Sequence, residues 1–373
     1  MNEEAVIRIL KDAGVEFAVS LPCDKNKRFT AMLPDAMHTV TLAREEDGVG
    51  ICSGLALCGR RAVLSIQSSG IGNMMNALMS LTSLYNLPLP VLASWRGVCN
   101  EAICAQIPFN EPLPKLLDVY KIPYRIIGPD NISDIAEVLD IAFNGNTPAV
   151  ALILPSCWGD GKPTSPVLYS PRNFSQRSLE LPACGSPKAA RKEAIEAFAA
   201  AVPADALVIS NIGVPSKELY AANDRNGNFY MLGSYMQASA LGLGCALGCP
   251  KKQVYVLDGD GSLLGSAVLP VAAAEQLPNL HIIALDNGTF GSTGNQKSPA
   301  YAVADIGLMA LAAGISDVVR TNSPKELPEL LDASFVHMII KPGNSDAVNI
   351  PLSPQEIRMR FMLEIGALKN DMV

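Results

Sequence analysis

Residues 254–262 are Val254-Tyr-Val-Leu-Asp258-Gly259-Asp260-Gly261-Ser262, an apolar run that ends in Gly-Asp-Gly-Ser. The run predicts a buried β-strand, and the glycines predict a tight turn whose backbone N–H groups can approach a phosphate closely. A second apolar run, residues 281–285, leads into Asp286-Asn287-Gly288-Thr289. The Asp260 carboxylate and the Asn287 amide oxygen are hard ligands of the kind that Mg²⁺ prefers. The two segments therefore predict a site for magnesium and phosphate groups at the ends of two strands.

Two simpler interpretations of these segments are weaker. An isolated Gly-Asp-Gly-Ser can be only a tight turn, and Asp-Asn-Gly is a common turn former. A dinucleotide-binding domain is the other alternative, but no G-x-G-x-x-G opens a helix after the first strand of either half of the chain. Two apolar strands that each deliver an oxygen ligand favour the magnesium site.

The rest of the chain alternates between patterns typical of helices and patterns typical of strands. Helices are predicted at residues 5–13, 73–85 and 188–201. Strands are predicted at residues 15–20, 63–67, 91–94, 150–154, 206–210, 253–258 and 281–286. Because buried strands that alternate with helices are typical of parallel sheets, we predict an α/β protein with mainly parallel sheets flanked by helices.

Residues 155–187 interrupt this alternation. Pro, Ser, Gly and Arg dominate there, as in Gly161-Lys-Pro-Thr-Ser-Pro166. We therefore predict one domain at residues 1–160, a linker at 161–187 and a second domain at 188–373. A chain of 373 residues is long enough for two domains that each bury a core.

The bulk composition excludes several classes of protein. The net charge is −7, with 49% hydrophobic and 17% charged residues, which is typical of a compact protein without general affinity for nucleic acid. The nine cysteines form no C-x-x-C pair. Residues 1–15 carry acids where a signal peptide needs basic residues, and no apolar stretch reaches bilayer length. We therefore expect a cytoplasmic protein that binds neither nucleic acid nor membrane.

The two strand-end segments resemble the signature of thiamine-diphosphate-dependent enzymes, a Gly-Asp-Gly followed some two dozen residues later by Asn. Here Asp260 and Asn287 are 27 positions apart. The resemblance implies thiamine diphosphate and Mg²⁺ as cofactors, with Asp260, Asn287 and the main-chain carbonyl of Thr289 as metal ligands. It implies cofactor contacts at further residues around these ligands, namely Gly259, Gly261, Ser262 and Gly291.

Residues 42–54 are Leu42-Ala-Arg-Glu45-Glu-Asp-Gly-Val-Gly-Ile-Cys-Ser-Gly54. They resemble the part of these enzymes in which a catalytic glutamate lies nine residues before a helix glycine, so that counting back from Gly54 selects Glu45. In that class the glutamate hydrogen-bonds the aminopyrimidine ring of the cofactor. Acids in the first turn of a helix also favour the helix dipole, which explains Glu46 and Asp47 without a catalytic role.

Stretches over nearly the whole chain, apart from the linker, resemble the sulfopyruvate decarboxylase family. They are residues 20–27, 43–54, 67–76, 95–97, 105–108, 210–219, 229–234 and 286–296. In that family the two halves often occur as separate alpha and beta subunits, and here they are fused. The resemblance implies two thiamine-diphosphate-binding domains, the first for the pyrimidine and the second for the diphosphate. It also implies a site between the halves, across a subunit interface, and hence a homo-oligomer of at least two chains.

The segment ahead of Gly-Asp-Gly departs from the family pattern. The family usually has Met after Gly-Ser, where its side chain supports the bent cofactor, but Gly233-Ser234 is followed here by Tyr235 and Met236. Both residues stay candidates for that role. By the resemblance, Gly213 and the Gly233-Ser234 pair also contact the cofactor.

The resemblance implies decarboxylation of 3-sulfopyruvate to sulfoacetaldehyde and CO2 in coenzyme M biosynthesis. A small anionic 2-oxo acid needs basic or amide donors in its pocket. Four residues in loops after predicted strands are candidates for binding it: Lys27, Ser68, Arg96 and Gln106. Lys27 belongs to the charged run 24–28 and is explained nearly as well as a solvated side chain. His281 and His337 lie in apolar segments and are expected to pack there.

Two alternative functions stay open. A phosphonopyruvate decarboxylase would act on a substrate that differs chiefly in its charged head group. A non-catalytic thiamine-diphosphate-binding paralogue is disfavoured, because Glu45, Asp260 and Asn287 are all present. An acetolactate-type carboligase normally has a middle domain, for which 373 residues leave no room.

Overall fold

The computed structural model describes residues 2–159 and 180–368, so the predicted linker lies outside the described residues as far as residue 179. The described residues form two compact units. The N-terminal unit comprises residues 2–56 and 60–159, and the C-terminal unit comprises residues 57–59 and 180–368. None of the described helices combines the length and the apolar character that a bilayer crossing requires.

In the N-terminal unit, helices and strands alternate along the chain. The strands are β1 (Phe17–Ser20), β2 (His38–Thr41), β3 (Ala62–Gln67), β4 (Leu89–Ser94), β5 (Tyr124–Ile127) and β6 (Pro148–Ile153). The α-helices are α1 (Asn2–Asp12), α2 (Lys27–Ala36), α3 (Glu45–Leu57), α4 (Gly70–Ala77), α5 (Ile107–Asn110), α6 (Leu113–Val119) and α7 (Ile135–Gly145).

These strands form one parallel sheet in the order β2-β1-β3-β4-β6-β5. The central strands β4 and β6 are buried along their whole length, as expected for a parallel sheet that helices cover on both faces. One face packs in a core that includes Val6, Phe29, Val63, Leu92 and Val138. Because β1 pairs with β2 on one side and β3 on the other, a crevice is expected at the carboxyl ends of β1 and β3.

The C-terminal unit repeats this architecture. Its strands are β7 (Leu207–Ser210), β8 (Asn228–Tyr230), β9 (Val254–Gly259), β10 (Leu280–Asp286), β11 (Thr289–Phe290), β12 (Gln296–Lys297), β13 (Val318–Thr321) and β14 (Phe335–Ile339). Its α-helices are α8 (Arg191–Ala201), α9 (Val214–Ala222), α10 (Ala238–Gly248), α11 (Asp260–Gly265), α12 (Val268–Glu275), α13 (Ile306–Ala313) and α14 (Pro354–Glu364).

Six of the C-terminal strands form a parallel sheet in the order β13-β14-β10-β9-β7-β8, while β11 and β12 make a short antiparallel pair. Strand β7 lies between β8, its successor in the chain, and β9. The connections that leave the carboxyl ends of β7 and β9 therefore diverge, and this is where open α/β sheets bind ligands.

The predicted fold class is confirmed, since both sheets are parallel and flanked by helices. Every predicted strand has a counterpart among β1, β3, β4, β6, β7, β9 and β10. The helix predicted at 73–85 begins earlier, at Gly70, and changes to a π-helix at Leu78–Ser83. Within that turn the buried Thr82 hydroxyl donates to the Leu78 carbonyl, a local bond that competes with the regular helical ladder.

Candidate active site

A cavity of about 160 Å³ lies at the carboxyl ends of β7, β9 and β10, and we call it the strand-end cavity. Its lining includes eight of the predicted cofactor residues: Tyr235, Gly259, Asp260, Gly261, Ser262, Asn287, Thr289 and Gly291. It also includes residues that sequence reasoning did not select, among them Arg191, Asn211, Asp258, Ser292 and Thr293. The structure therefore brings most of the predicted diphosphate and metal residues together in one place.

Asp260 lies where β9 ends and is almost completely buried, at 2% exposure. The Ser298 hydroxyl donates a hydrogen bond to Asp260 Oδ2. Burial raises the pKa of the Asp260 carboxyl to about 6, and the neighbouring Asp286 carboxylate raises it too, while the hydrogen bond from Ser298 acts in the opposite direction. No cationic side chain of the described residues pairs with this carboxylate, so a metal cation would be its natural partner.

The turn after β10 presents the second predicted ligand. Asn287 Oδ1 accepts a hydrogen bond from the Thr289 backbone N–H at 2.9 Å, which fixes the amide and leaves its second lone pair free. Asp286 Oδ1 accepts from the Gly288 N–H at 2.9 Å. Thr289 Oγ1 is buried without a hydrogen-bond partner in the part of the chain that the structure describes. Such an orphaned hydroxyl in a cavity lining fits a ligand with acceptor oxygens.

His337 supports this turn from β14, which is more than the packing role expected from the sequence. It is buried, and its Nε2 lies 2.8 Å from Asp286 Oδ2. Its Nδ1 accepts from the Gly307 N–H and from Arg320 Nε, both at 3.2 Å. Because Nδ1 accepts, the ring proton is on Nε2 and is donated to Asp286. His337 therefore fixes the acid that precedes Asn287.

The donor set of the strand-end cavity fits a divalent cation together with a diphosphate. The carboxyl groups of Asp258 and Asp260 face it, and Arg191 is the one cationic side chain that the described residues contribute to the lining. Burial raises the pKa of Asp258 as well. The described residues contain no cluster of three His, Cys, Asp or Glu side chains, but a magnesium site completed by phosphate oxygens and water needs only one or two carboxylates.

The four remaining predicted cofactor residues, Gly213, Gly233, Ser234 and Met236, do not line this cavity. Gly213 has a φ of +81°, and a Cβ there would stand 2.8 Å from Ser292 Oγ of the lining, so the position requires glycine. A Cβ on Gly265 would meet the Met236 sulfur at 2.1 Å, which shows that Met236 packs against α11.

Tyr235, by contrast, reaches the cavity itself. Its hydroxyl donates to the carbonyl oxygen of Gly261 at 2.6 Å, so the polar end of the ring has its partner. Burial raises the pKa of the Tyr235 phenol, and the carboxylates of Asp260 and Asp258 raise it further. The phenol therefore stays neutral beside the Gly-Asp-Gly turn, and Tyr235 is the better placed of the two candidates to contact a ligand there.

Glu45 begins α3 in the N-terminal unit and is half-buried. Asn73 Nδ2 donates to Glu45 Oε2 at 3.1 Å. A Cβ on Gly70 would stand 2.6 Å from Glu45 Cγ and 2.8 Å from its Oε1. The N-terminal turn of α4 therefore determines where this carboxylate lies.

Two of the four predicted substrate residues, Arg96 and Gln106, belong to one hydrogen-bonded group, the Arg96 network, which consists of Arg96, Asp24, Gln67, Glu101 and Gln106. Arg96 Nε donates to Glu101 at 2.6 Å, and its Nη1 donates to Asp24 and to Gln67. Gln67 Nε2 in turn donates to Gln106 Oε1 at 3.2 Å. Arg96 Nη2 is buried and has no partner among the described residues. The network lies at the ends of β1, β3 and β4.

Ser68 and Lys27 occupy different positions from these. The buried Ser68 hydroxyl donates to Asn110 and accepts from the Arg96 backbone N–H at 3.0 Å, so it holds the start of the Arg96 loop. Lys27 is exposed at the first residue of α2, outside the Arg96 network. Gln67, which joins Arg96 to Gln106, was not singled out from the sequence, because its connections depend on three separate strand ends.

Comparison with known proteins agrees with this architecture. Residues 2–110 match the model of the N-terminal TPP binding domain of thiamine pyrophosphate enzymes, and residues 216–341 match that of the C-terminal TPP binding domain. A thiamin diphosphate-dependent enzyme from Mycobacterium smegmatis has a similar fold, with a TM-score of 0.72 and 14% identity over 93% of this chain and 100% of that one.

Two curated relatives match nearly the whole chain. The chain is 41% identical to a sulfopyruvate decarboxylase from Methanosarcina acetivorans over 96% of both chains. It is 30% identical to a phosphonopyruvate decarboxylase from Streptomyces viridochromogenes over 94% of this chain and 92% of that one.

Separate subunits match the two halves. A sulfopyruvate decarboxylase subunit alpha from Methanococcus maripaludis matches 43% of this chain at 36% identity, and a subunit beta from Methanothermobacter thermautotrophicus matches 48% at 42% identity, each over 98% of its own length. With both domains and both subunit types represented, this chain belongs to the sulfopyruvate decarboxylase family of thiamine-diphosphate-dependent carboxy-lyases.

Proposed function

We propose that this chain catalyses the Mg²⁺- and thiamine-diphosphate-dependent decarboxylation of 3-sulfopyruvate to sulfoacetaldehyde and CO2, as a cytoplasmic step of coenzyme M biosynthesis. The observation that carries the proposal is the 41% identity over 96% of both chains with a sulfopyruvate decarboxylase. The strand-end cavity and the Arg96 network support it, because they supply donors for a diphosphate and for an anionic substrate.

In this proposal the C-terminal unit holds the diphosphate end of the cofactor. Asp260, Asn287 and the carbonyl of Thr289 hold Mg²⁺, and the glycines of the lining leave room for phosphate oxygens. Ser298 orients the Asp260 carboxylate through its hydrogen bond to Oδ2. Tyr235 packs beside the cofactor in the role that the family gives to methionine.

Glu45 is the proposed catalytic residue. When bound, thiamine diphosphate supplies a carbon nucleophile and accepts the electron pair that CO2 leaves behind. Glu45 hydrogen-bonds the aminopyrimidine ring and holds a proton there. Asn73 supports this role because its amide occupies Glu45 Oε2, which leaves Oε1 available to the ring.

The Arg96 network is the proposed binding site for the sulfonate head group. Arg96 keeps two N–H groups on Nη2 that no described residue accepts. The Asp24 side chain, which accepts from Nη1, is 60% exposed and can therefore swing away from an incoming anion at little cost. The Gln106 side chain adds amide donors nearby, while the Gln67 amide N–H groups already donate to Ser69 and Gln106 and its Oε1 accepts from Arg96.

Side-by-side steady-state assays test the substrate. We expect kcat/KM for 3-sulfopyruvate to exceed that for 3-phosphonopyruvate, and R96Q to lower kcat/KM for 3-sulfopyruvate about 10- to 100-fold, as the loss of charge-assisted hydrogen bonds predicts. Lys27→Gln serves as the matched control on an exposed cation. Equal or greater activity with the phosphonate would contradict the proposal.

Phosphonopyruvate decarboxylation is the second candidate, favoured by the 30% identity to enzymes of that name. A phosphonate carries up to two charges where a sulfonate carries one. If the phosphonate is the natural substrate, kcat/KM should therefore depend more strongly on pH. A chain that binds thiamine diphosphate but decarboxylates neither compound would instead be the non-catalytic paralogue.

We also propose that the protein is a homo-oligomer of at least two chains. The existence of relatives named as separate subunits supports this, because those enzymes must be assembled from more than one chain. Light scattering after size-exclusion chromatography should give at least twice the 39.5 kDa of one chain. A monomer with full activity contradicts the proposal.

A further inference from the structure

Arg191, the first residue of α8, is a buried cation in the lining of the strand-end cavity, at 5% exposure. Its Nε donates to Glu218 Oε2 at 2.7 Å. Its Nη2 donates to Glu218 Oε1 at 3.3 Å and to Asn344 Oδ1 at 3.0 Å. Neither Glu218 nor Asn344 belongs to the described cavity lining, so both hold the guanidinium from outside the cavity.

Two of the five N–H groups of Arg191 have no acceptor among the described residues. A guanidinium has five N–H groups, one on Nε and two on each terminal nitrogen. The Nε group and both Nη2 groups are used by Glu218 and Asn344. The two N–H groups of Nη1 have no hydrogen bond within residues 2–159 and 180–368. Arg191 therefore offers a free pair of donors from an otherwise fixed group.

The position of Nη1 directs these donors to the cavity. A Cβ built on Gly291 would lie 3.5 Å from Arg191 Nη1, and both residues line the cavity. Asn344 ties the same two elements together, because its Nδ2 donates to the Gly291 carbonyl at 2.7 Å while its Oδ1 accepts from Arg191. Ser345 Oγ donates to Glu218 Oε1 at 2.7 Å and so fixes the carboxylate behind the guanidinium.

Electrostatics restrict which ligand these donors suit. The lining also holds the carboxyl groups of Asp258 and Asp260, so a ligand that brings both a cation and an anion suits the site. Guanidinium N–H pairs match phosphate oxygens in geometry and charge. Because Arg191 is already fixed by three hydrogen bonds, little conformational entropy remains to be lost on binding.

We infer that Arg191 is a phosphate-binding residue of the strand-end cavity, where its Nη1 donates to a phosphate oxygen of the bound diphosphate. The inference rests on the proposed function, which places thiamine diphosphate in this cavity. It adds to the magnesium ligands a direct contact from the protein to the diphosphate. Glu218, Asn344 and Ser345 are positioning residues that act through Arg191.

Calorimetric titration of the full-length apoprotein with thiamine diphosphate and Mg²⁺ tests this inference, with inorganic diphosphate as a second probe. R191Q alone would leave Glu218 buried without its cation, so the double variant R191Q/E218Q is the main test and R191K the second. We expect both to bind about 10- to 100-fold more weakly, with unchanged Mg²⁺ ligands. E218Q alone keeps the guanidinium but weakens one of its supports, so it should lose affinity to a smaller extent than the double variant.

R225Q is the matched control. Arg225 belongs to the same unit and donates to the carbonyls of Pro203, Ala204 and Ala206, outside the cavity lining, so its replacement should leave affinity unchanged. A folded R191Q/E218Q protein with wild-type affinity overturns the inference. So does E218Q if it loses as much affinity as the double variant, because the guanidinium that E218Q keeps would then add nothing to binding. Failure of wild type to bind overturns the proposed function itself, and the inference with it.

Discussion

Gly70 lies directly against Glu45: a Cβ at position 70 would stand 2.6 Å from Glu45 Cγ. Real Cβ atoms do not approach so closely, so any larger residue must displace one of the two groups. The backbone of α4 is fixed by its helix, whereas the glutamate side chain is flexible. The side chain is therefore the part that would move.

We expect G70A to lower kcat at least about 100-fold, the contribution of a well-placed acid–base group, while the thermal midpoint changes little. Steady-state rates and a melting curve on the same preparation measure both effects. G145A in α7 is the matched control, because its Cβ would meet only Thr147 Cγ2 at an ordinary 3.4 Å. Wild-type turnover in G70A would remove Glu45 from its proposed role.

Replacement of Asp260 should separate ligand binding from stability. D260N removes a buried carboxylate that has no cationic partner among the described residues, so the free apoprotein should be no less stable than wild type. Thiamine diphosphate with Mg²⁺ should raise the melting temperature of wild type but not of D260N. D332N, which alters an exposed acid of the same unit, should keep the full increase. An increase that persists in D260N would exclude Asp260 as a metal ligand.

Replacement of His337 should weaken metal binding through its hydrogen bond to Asp286. H337N breaks the hydrogen bond to Asp286, and we expect the Mg²⁺ concentration for half-maximal cofactor binding to rise about tenfold, as is usual when groups behind metal ligands are altered. His281 is the control: it is similarly buried but bonds Ala333 O and Gln253 at the amino end of β10. Both variants should lose stability. If the Mg²⁺ concentration for half-maximal binding rises equally in H281N, His337 has only a packing role.

The Arg96–Glu101 pair predicts a stability contribution that acid removes. The hydrogen bond from Arg96 holds the pKa of Glu101 at about 2, below its ordinary 4.5. Because the folded pKa is the lower one, the pair stabilises the fold above pH 4.5, and this contribution is lost as the pH falls from 4.5 toward 2.

E101Q should therefore lower the free energy of unfolding at neutral pH, and its difference from wild type should shrink below pH 4.5. Urea unfolding at a series of pH values measures this difference. The exposed Glu111 provides the control variant E111Q. A difference that stays constant with pH would show that the ion pair does not set the stability contribution of Glu101.

The parts of the molecule that local sequence determines were predictable. Strands β9 and β10 are apolar runs, and Asp260 and Asn287 follow them directly, so the strand ends and the candidate metal ligands could be predicted together. The short strands β2, β5, β8 and β13 were not predicted, because each has only three or four residues and includes polar ones, so that no clear apolar run shows.

Long-range contacts were not predictable. Arg191 and Asn344 are 153 residues apart in the chain, and neither stands in a motif. His337 and Asp286 are 51 residues apart and meet only because β14 pairs with β10. These groups become visible when the strand order is known, which a single sequence does not state.

The strand-end cavity and the Arg96 network come from separate parts of the sequence, which has an evolutionary consequence. Every described residue of the strand-end cavity belongs to the stretch after position 180, whereas the Arg96 network is encoded entirely before position 110. Under the proposed function, mutations that alter which head group is accepted thus fall in a different part of the gene from those that alter coenzyme retention. Recombination within the intervening segment can exchange one inherited property while it leaves the other intact.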